Sequence, residues 1–401
     1  MMQMVHSRFN ALLSACVLSL IATAGWSQSI TWLGVVANDS YAQGVSADGS
    51  VVVGWGSYTT YYNGDYYTYR NAFRWTASGG MQNLGTMGGN QSEAYGVSAN
   101  GAVVVGRAQN ANQQWRAFRW SASSGRMLDL GTLPSGNYSY SEAYAISADG
   151  YVVVGMSSYY DNASRGQYER AFRWTVDDGM QHLGTLPGWY YSIAYAVSAD
   201  GSVVVGWAYS QYYRDQVVRA FRWQNGVMQD LGTLPGGSYS MAYGVSANGA
   251  VVVGRAYNAA RQWQAFRWTV SGGMQPLGTL LGGSESAAYG VSANGAVVVG
   301  SAKNAAGQER AVRWTASGIE DLNTTYASLL PHGSYLQRAT AISPDGRYIV
   351  GVGYNAPQNR TQAFLLDTLP RCTLNGDVNG DGRVDDADLL TVLFNFGNRC
   401  P

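Results

Sequence analysis

The most specific chemical pattern in the sequence is a run of oxygen-bearing side chains near the C-terminus. With Asp377 as loop position 1, side-chain oxygens recur at positions 3, 5, 9 and 12, and Gly382 stands at position 6. Calcium takes hard oxygen ligands in this order, with a sharp turn at position 6 and a backbone carbonyl at position 7. The alternative is a polar turn without metal. The predicted calcium ligands are Asp377, Asn379, Asp381, Arg383 through its carbonyl, Asp385 through water, and Asp388.

A second chemistry comes from aromatic side chains that alternate with Asn, Gln, Ser and Gly. Aromatic rings cover apolar faces and amides bond hydroxyl groups, which suits saccharides or extended peptides. The candidate ligand-binding residues are Tyr61, Tyr62, Tyr66, Trp115, Tyr159, Tyr160, Trp189, Tyr190, Tyr212, Tyr213 and Trp263. The alternative interpretation is structural, and it is favoured for five tyrosines that recur at one position of a repeat. These are Tyr95, Tyr144, Tyr195, Tyr243 and Tyr289.

Patterns for catalysis are weaker. His182 and His332 have no recognisable nucleophile context, so a nucleophilic triad is not predicted. A glycosidase needs only two carboxylates, but the sequence cannot pair the candidates. No catalytic residue is assigned, and enzyme activity stays an open alternative. The candidate carboxylates are Asp65, Asp161, Glu169, Asp177, Asp178 and Asp215.

The elements that must position these residues are copies of one unit. Ala-Phe-Arg-Trp or a variant begins at Ala72, Ala117, Ala171, Ala220, Ala265, Ala311 and Ala363. A second marker, Val/Ile-Ser-Ala/Pro-Asp/Asn-Gly, has its serine at Ser46, Ser98, Ser147, Ser198, Ser246, Ser292 and Ser343. Units of roughly 40 to 50 residues that are built from short strands indicate propeller blades or a solenoid.

Each unit contains four strand-like pieces, a to d, which in the second unit are residues 94–98, 103–106, 117–121 and 127–133. Piece b reads Val-Val-Val-Gly in most copies, so it must be covered on both faces, as between propeller blades. The Asp-Gly or Asn-Gly between a and b predicts a two-residue hairpin turn. The last unit lacks a d piece, and residues 30–36 resemble one. We therefore predict an all-β, seven-bladed propeller of four-stranded blades, closed by the N-terminal strand.

Two repeated polar positions are interpreted as scaffold. The repeated arginines are expected to stack or to bond turn carbonyls between blades. They are Arg74, Arg119, Arg173, Arg222, Arg267 and Arg313. The turn aspartates exchange with asparagine between copies, which a hairpin turn tolerates and a catalytic carboxylate does not. They are Asp48, Asp149, Asp200 and Asp345, with Asn100, Asn248 and Asn294 in the other copies.

The repeats, such as residues 265–280 followed by 288–300, resemble the HAF family of extracellular repeats over about residues 30–367. This resemblance implies a repeat fold and an extracellular location but no established activity. The seventh copy departs most, with Leu365 and Leu366 where Arg and Trp are expected.

Residues 376–397, which run from the predicted calcium loop into an amphipathic segment, resemble a type I dockerin repeat with an EF-hand-like loop and helix. Dockerins bind calcium and dock on cohesin modules of extracellular polysaccharide-degrading assemblies. They carry two such repeats, whereas this sequence has one. The resemblance therefore implies a cohesin-like or cell-surface partner, with Asp386 and Ala387 at the partner-selective positions.

The chain ends and the composition bear on location. Residues 1–27 read as a signal peptide that ends near an Ala-Thr-Ala site, with lipidation at Cys16 as an alternative. Cys372 and Cys400 bracket the last segment and are predicted to pair in an oxidising compartment. Charged residues make up only 12% of the chain, with 25 basic and 25 acidic side chains and no basic cluster. No nucleic-acid partner is therefore expected. No membrane span is expected either, because the apolar run near the N-terminus is shorter than the roughly 20 residues that a span needs.

The sequence thus predicts three parts: a signal peptide over 1–27, a propeller over 28–367 and a calcium-binding module over 368–401. The preferred hypothesis is a secreted, non-enzymatic binding or adhesion scaffold for glycan or protein, with polysaccharide as a possible ligand at the rim. The alternatives are a polysaccharide-active enzyme and a purely structural surface protein.

Overall fold

The computed structural model describes residues 28–36, 38–62, 64–134, 139–161, 166–210 and 217–368, with the backbone alone described for Tyr62 and Asp161. Residues Ile30–Leu366 form one compact unit. This unit is a ring of seven four-stranded antiparallel sheets, so the predicted seven-bladed propeller is confirmed. No helix in the described part of the chain is long and apolar enough to cross a membrane.

In each blade the strands are named a to d from the central channel outward. Blades 1 to 3 contain β2 (Asp39–Val45), β3 (Val51–Tyr62), β4 (Asp65–Thr76), β5 (Gly80–Asn83), β6 (Gly88–Val97), β7 (Val103–Asn110), β8 (Trp115–Ser121), β9 (Arg126–Asp129), β10 (Ser141–Ile146), β11 (Val153–Asp161), β12 (Gly166–Thr175) and β13 (Gly179–His182). Blades 4 to 6 contain β14 (Tyr191–Val197), β15 (Val203–Tyr209), β16 (Val218–Gln224), β17 (Val227–Asp230), β18 (Ser240–Val245), β19 (Val251–Tyr257), β20 (Trp263–Thr269), β21 (Gly273–Pro276), β22 (Ser286–Val291), β23 (Val298–Lys303), β24 (Glu309–Thr315) and β25 (Gly318–Asp321). Blade 7 contains β26 (Tyr335–Ile342), β27 (Tyr348–Asn355), β28 (Arg360–Asp367) and β1 (Ser29–Trp32). A short helix α1 (Leu322–Thr325) and two 3-10 turns (Ala327–Leu329, Ala356–Gln358) complete the described elements.

The ring closes where blade 7 meets blade 1. Strand β1 lies at the outer edge of the seventh sheet and pairs with β28, as the missing d piece predicted. Just beyond β1, the backbone N–H of Leu33 donates to the Ala363 carbonyl at 3.0 Å. Blade 7 also contacts blade 1 directly, because the Thr340 hydroxyl donates to the Ala42 carbonyl at 2.8 Å. Closure therefore gives the seventh sheet four strands like the other six, and β28 is paired on both sides.

Among the described residues, the hydrophobic core forms seven clusters, each between two adjacent blades. Blade 5 shows how strand b serves two of them. Val252 packs toward blade 4, whereas Val251 and Val253 pack toward blade 6. The unbroken Val-Val-Val run therefore reflects a sheet that is buried on both faces, as predicted. Strand c alternates in the same way, with Phe266 and Trp268 toward blade 4 and Ala265 toward blade 6.

The repeated arginine of strand c lies on the same face of the blade as the alanine two residues before it, and this face packs against the next blade. Arg74, Arg119, Arg173 and Arg222 donate to the carbonyls of Gly101, Gly150, Gly201 and Gly249 at 3.3, 3.3, 3.5 and 3.0 Å. These glycines belong to the a–b turns of the following blades, so the predicted scaffold role is confirmed for four copies. Arg313 instead pairs with Glu320 in its own blade at 2.6 Å. In the seventh copy, Leu365 packs against the core between blades 7 and 1.

The a–b turns differ from the predicted two-residue hairpin turn. Gly49 has a φ of +71°, but none of the turn aspartates or asparagines has a positive φ. The loop therefore has four residues, 47–50, between the paired Ser46 and Val51, rather than the predicted two. The Asp48 carboxylate accepts from the Ser46 hydroxyl at 2.7 Å and from the Ser50 amide at 3.0 Å, and these bonds lower its pKa. Asn100 accepts the same two bonds, which explains why the two residue types exchange.

Backbone bonds join neighbouring a–b turns into a chain around one mouth of the channel. The N–H of Ala47 donates to the Ala99 carbonyl, and the pattern continues through Ala148, Ala199, Ala247 and Ala293 to Pro344, with lengths of 2.8 to 3.1 Å. A seventh bond would run from residue 344 back to Ala47. Proline has no N–H to donate, so the chain of bonds ends at the blade 7–blade 1 junction.

Candidate functional site

The central channel contains a cavity of about 750 Å³ whose wall is formed mainly by the a strands. In every blade the pairing between strands a and b shifts by one residue, and the extra residue faces this cavity. A bulge of this kind re-aims a side chain out of the regular alternation. The extra residues, which we call the tyrosine collar, are Gln43, Tyr95, Tyr144, Tyr195, Tyr243, Tyr289 and Thr340.

The five collar tyrosines form a continuous aromatic arc. Ring centroids of successive members, from Tyr95 through Tyr289, lie 5.4, 4.7, 5.4 and 5.7 Å apart. Burial raises the pKa of Tyr95, Tyr144, Tyr195 and Tyr243, so their phenols stay neutral at physiological pH. The sequence analysis favoured a structural packing role for these five tyrosines. The structure shows that they do pack against one another, and that they do so on the wall of a cavity.

Charged side chains lie beside the collar in blades 1 to 3. Arg70 pairs with Glu93 at 2.7 Å, Glu93 pairs with Arg107 at 2.9 Å, and Arg107 pairs with Glu142 at 2.8 Å. The collar adds two hydrogen bonds, because the Tyr95 phenol donates to Glu93 and the Tyr144 phenol donates to Glu142 at 2.7 Å. Glu93 is 2% exposed and Glu142 7% exposed, so their charges depend on these partners. We call this series the ion-pair arc.

The opposite wall carries fewer charges. Arg338 forms two hydrogen bonds of 2.9 and 3.1 Å from its Nη2 to the Glu309 carboxylate. Arg255 lines the cavity and stacks on Trp263, with 4.2 Å between its Cζ and the ring centroid. Within the described part of the chain, no carboxylate forms an ion pair with Arg255.

The predicted rim residues are distributed over several hairpins, on the side of the ring where the b–c connections lie. In blade 1, β3 and β4 are each 12 residues long and extend this hairpin. Near its tip, Tyr61 and Tyr66 are 62% and 78% exposed, and their ring centroids lie 5.0 Å apart. The side chain of Tyr62, and all of Tyr212 and Tyr213, lie outside the described residues.

The other rim residues are more tightly held. Trp115 lies under the Arg107 guanidinium at 4.3 Å, and Trp263 lies 4.0 Å from the ring of Tyr257. The ring of Tyr159 lies 5.2 Å from that of His182, and the ring of Tyr190 lies 5.1 Å from that of Tyr168, measured between centroids. Trp189 packs against the core between blades 3 and 4, and Tyr160 is partly exposed. The structure thus divides the predicted rim into exposed tyrosines and aromatic rings that pack against neighbouring side chains.

The candidate carboxylates do not form one group. Asp65 begins β4 near the blade 1 hairpin tip, while Asp177 and Asp178 lie in the c–d turn of blade 3. Glu169 accepts hydrogen bonds from the phenols of Tyr140 at 2.6 Å and Tyr209 at 2.9 Å. The side chain of Asp161 and all of Asp215 lie outside the described residues.

The predicted calcium ligands from Asp377 to Asp388, together with Cys372 and Cys400, also lie outside the described residues, as does the predicted signal peptide. Within the described ranges, no group of three or more His, Cys, Asp or Glu side chains could hold a metal ion.

Sequence reasoning missed the charged residues of the channel. Glu93, Glu142 and Arg338 occupy one repeat position, two residues before the collar residue, where other copies have Tyr41, Ile193, Met241 or Ala287. Arg107 and Arg255 likewise follow the glycine of Val-Val-Val-Gly. The signal was therefore present as variation between copies at positions next to an almost unvarying motif.

These features define a class: a seven-bladed β-propeller whose channel has an aromatic collar beside buried ion pairs. No protein-family model matches the sequence, and no curated protein matches it. Solved structures do match the chain. Their sequence identities of 8 to 15% are low, so these matches establish the fold alone.

Three of these structures come from peptidases. The β-propeller domain of the Trilobed protease from Pyrococcus furiosus matches with a TM-score of 0.54 at 10% identity, over 87% of this chain and 99% of that one. The Pyrococcus horikoshii acylaminoacyl peptidase matches with 0.54 at 8%, over 85% of this chain and 54% of that one. A Mycobacterium tuberculosis puromycin-hydrolyzing peptidase matches with 0.52 at 15%, over 86% and 54%. The chain thus spans about half the length of the two whole peptidases.

Proposed function

We propose that this chain is a secreted, non-enzymatic binding propeller that takes a saccharide in the central cavity, on the side of the ring that carries the b–c hairpins. The observation that supports it best is the tyrosine collar, which presents five aromatic rings, an amide and a hydroxyl to one cavity of about 750 Å³. Stacked rings cover the apolar faces of sugars, and neutral phenols and amides bond their hydroxyl groups.

The exposed tyrosines of the blade 1 hairpin extend this surface in the proposal. Tyr61 and Tyr66 lie next to each other at the hairpin tip and are largely open to solvent. Paired aromatic rings in this position suit a longer chain that leaves the cavity. Trp115 and Trp263 support the wall, because they stack on Arg107 and Arg255.

The experiment is a titration of intrinsic fluorescence of the full chain with cellohexaose and xylohexaose. We expect saturable binding that Tyr195→Ser weakens about tenfold, because one stacked ring contributes roughly 1 to 1.5 kcal/mol. Tyr61→Ser/Tyr66→Ser should weaken it by less, because these rings touch only the end of the ligand.

Circular dichroism of each variant verifies that the blades are folded. Absence of saccharide binding by the unsubstituted chain, or equal binding by the Tyr195→Ser variant, would contradict the proposal. Release of shortened oligosaccharides during the titration would instead favour the polysaccharide-active enzyme.

For the C-terminal module we propose calcium binding through Asp377, Asn379, Asp381, Asp385, Asp388 and the Arg383 carbonyl, with Cys372 and Cys400 paired. Its proposed role is anchoring to a cohesin-like or cell-surface protein. Terbium luminescence of the full chain should saturate and should be displaced by calcium, and Asp377→Asn/Asp381→Asn should abolish it. Unchanged terbium binding in that variant would refute the ligand set, and Asp345→Asn, in an a–b turn, is the matched control.

A further inference from the structure

Arg255 in blade 5 occupies the same repeat position as Arg107 in blade 2, but its surroundings differ. Arg107 pairs across the strands with Glu93, and Arg255 pairs in the same register with Met241. The second partner of Arg107 is Glu142, and the equivalent residue beside blade 5 is Ala287. Both carboxylates that neutralise Arg107 are therefore replaced by apolar side chains around Arg255.

The guanidinium nevertheless adopts the same pose in both blades. Arg107 lies 4.3 Å from the ring centroid of Trp115, and Arg255 lies 4.2 Å from that of Trp263. Stacking on tryptophan holds a guanidinium by its face and leaves its N–H edge free to donate.

The polar contacts of Arg255 are weak. Its Nη2 lies 3.8 Å from the thioether sulfur of Met241, a poor acceptor, and its buried Nε has no hydrogen-bond partner in the described part of the chain. The Tyr243 phenol beside it donates to the same sulfur at 3.1 Å. This corner of the cavity therefore presents hydrogen-bond donors without a strong acceptor.

Among the described residues, three charged side chains line the cavity, and they are Arg107, Glu142 and Arg255. Arg70 and Arg107 balance Glu93 and Glu142 in the ion-pair arc, and Arg338 balances Glu309. Arg107 and Glu142 pair with each other, whereas Arg255, next to Tyr243, has no ion pair in the part of the chain that the structure describes.

We propose that Arg255 binds the carboxylate of an acidic saccharide, a uronate unit, while Tyr195, Tyr243 and Tyr289 contact its ring. This inference rests on the proposed saccharide binding and names the class of saccharide. A guanidinium offers two parallel N–H donors that match the two oxygens of a planar carboxylate. A sulfate or phosphate group would be better served by several cations, and the other arginines of the cavity are already neutralised by glutamates.

The experiment compares tetragalacturonate with its methyl ester, which has the same sugar skeleton without the charges, by calorimetric titration of the full chain. We expect the acid to bind about tenfold tighter than the ester, and Arg255→Met to reduce this preference to less than about twofold. Affinity for the ester should fall much less than affinity for the acid in that variant, because an ester carbonyl accepts only a weaker, neutral hydrogen bond. Arg261→Asn, which removes the same charge from an exposed turn of blade 5, should keep the full preference.

The outcomes separate the two proposals. If Arg255→Met keeps the preference for the acid, or if the unsubstituted chain prefers the ester, the role of Arg255 is wrong while saccharide binding stands. If neither saccharide binds and the neutral hexaoses do not bind either, the proposed function itself fails. Tighter, Arg255-dependent binding of hexaglutamate than of tetragalacturonate would overturn the saccharide in favour of an acidic peptide.

Discussion

Gly206→Ala is expected to destabilise the propeller by more than about 3 kcal/mol, although it adds a single methyl group. Gly206 is the glycine of Val-Val-Val-Gly in blade 4, and a Cβ there would lie 1.9 Å from the Ile193 carbonyl oxygen and 3.0 Å from the Ala194 Cα. These are backbone atoms of strand β14, next to its bulge, so no side chain can move aside to make room. The bulge that turns Tyr195 toward the cavity therefore requires glycine opposite it.

The measurement is the free energy of unfolding in urea, followed by far-UV circular dichroism. Gly184→Ala is the control, because Gly184 has a φ of +77° and nothing within 4 Å of an added Cβ. That change should cost only about 1 kcal/mol of backbone strain. A Gly206→Ala variant as stable as the control would show that strand a can shift, and that the bulge does not fix the collar.

The same glycine shows how far the sequence predicts this fold. The period, the four pieces and the short last unit were enough to predict seven blades and their closure by β1, because each depends on local pattern and counting. Val-Val-Val indicated a sheet covered on both faces. The glycine after it was not interpreted, since the reason for it is a carbonyl of the neighbouring strand, 1.9 Å from where a Cβ would lie, and strand pairing is not visible in a local stretch of sequence.

The candidate site was less predictable for a related reason. Exposed tyrosines such as Tyr66 are visible in the sequence as an unusual cluster, and the structure does place Tyr66 near a hairpin tip. The tyrosine collar instead takes one residue from each blade, roughly 50 positions apart along the chain, and Tyr195 looked like a packing residue because it recurs. Glu93 and Arg107 meet only through strand register, and Glu142 joins them from the next blade. Register shifted by a bulge is hard to infer without the paired strand.

Arg107→Met should cost about 3 kcal/mol or more, whereas the equivalent Arg255→Met should cost less than about 1 kcal/mol. Arg107 lies between Glu93 and Glu142, so its removal leaves Glu93 with Arg70 alone and Glu142 without an ion pair in the described ranges. Removing Arg255 leaves no carboxylate unpaired among the described residues, and it replaces a guanidinium on Trp263 with an apolar chain of similar length. The two substitutions are chemically identical, so the difference in unfolding free energy measures the stranded charges.

A second substitution tests that cause. Glu142→Gln in the Arg107→Met background removes one stranded carboxylate and should restore more than about 1 kcal/mol, whereas Glu142→Gln alone should destabilise the chain, because it removes a partner of Arg107. Equal costs for Arg107→Met and Arg255→Met would mean that stacking on tryptophan, and not ion pairing, holds both arginines. The expected asymmetry would instead show that Arg107 serves the fold and that the charge of Arg255 does not. The partly buried guanidinium of Arg255 would then cost desolvation free energy without stabilising the fold. An anionic ligand in the cavity would offset that cost.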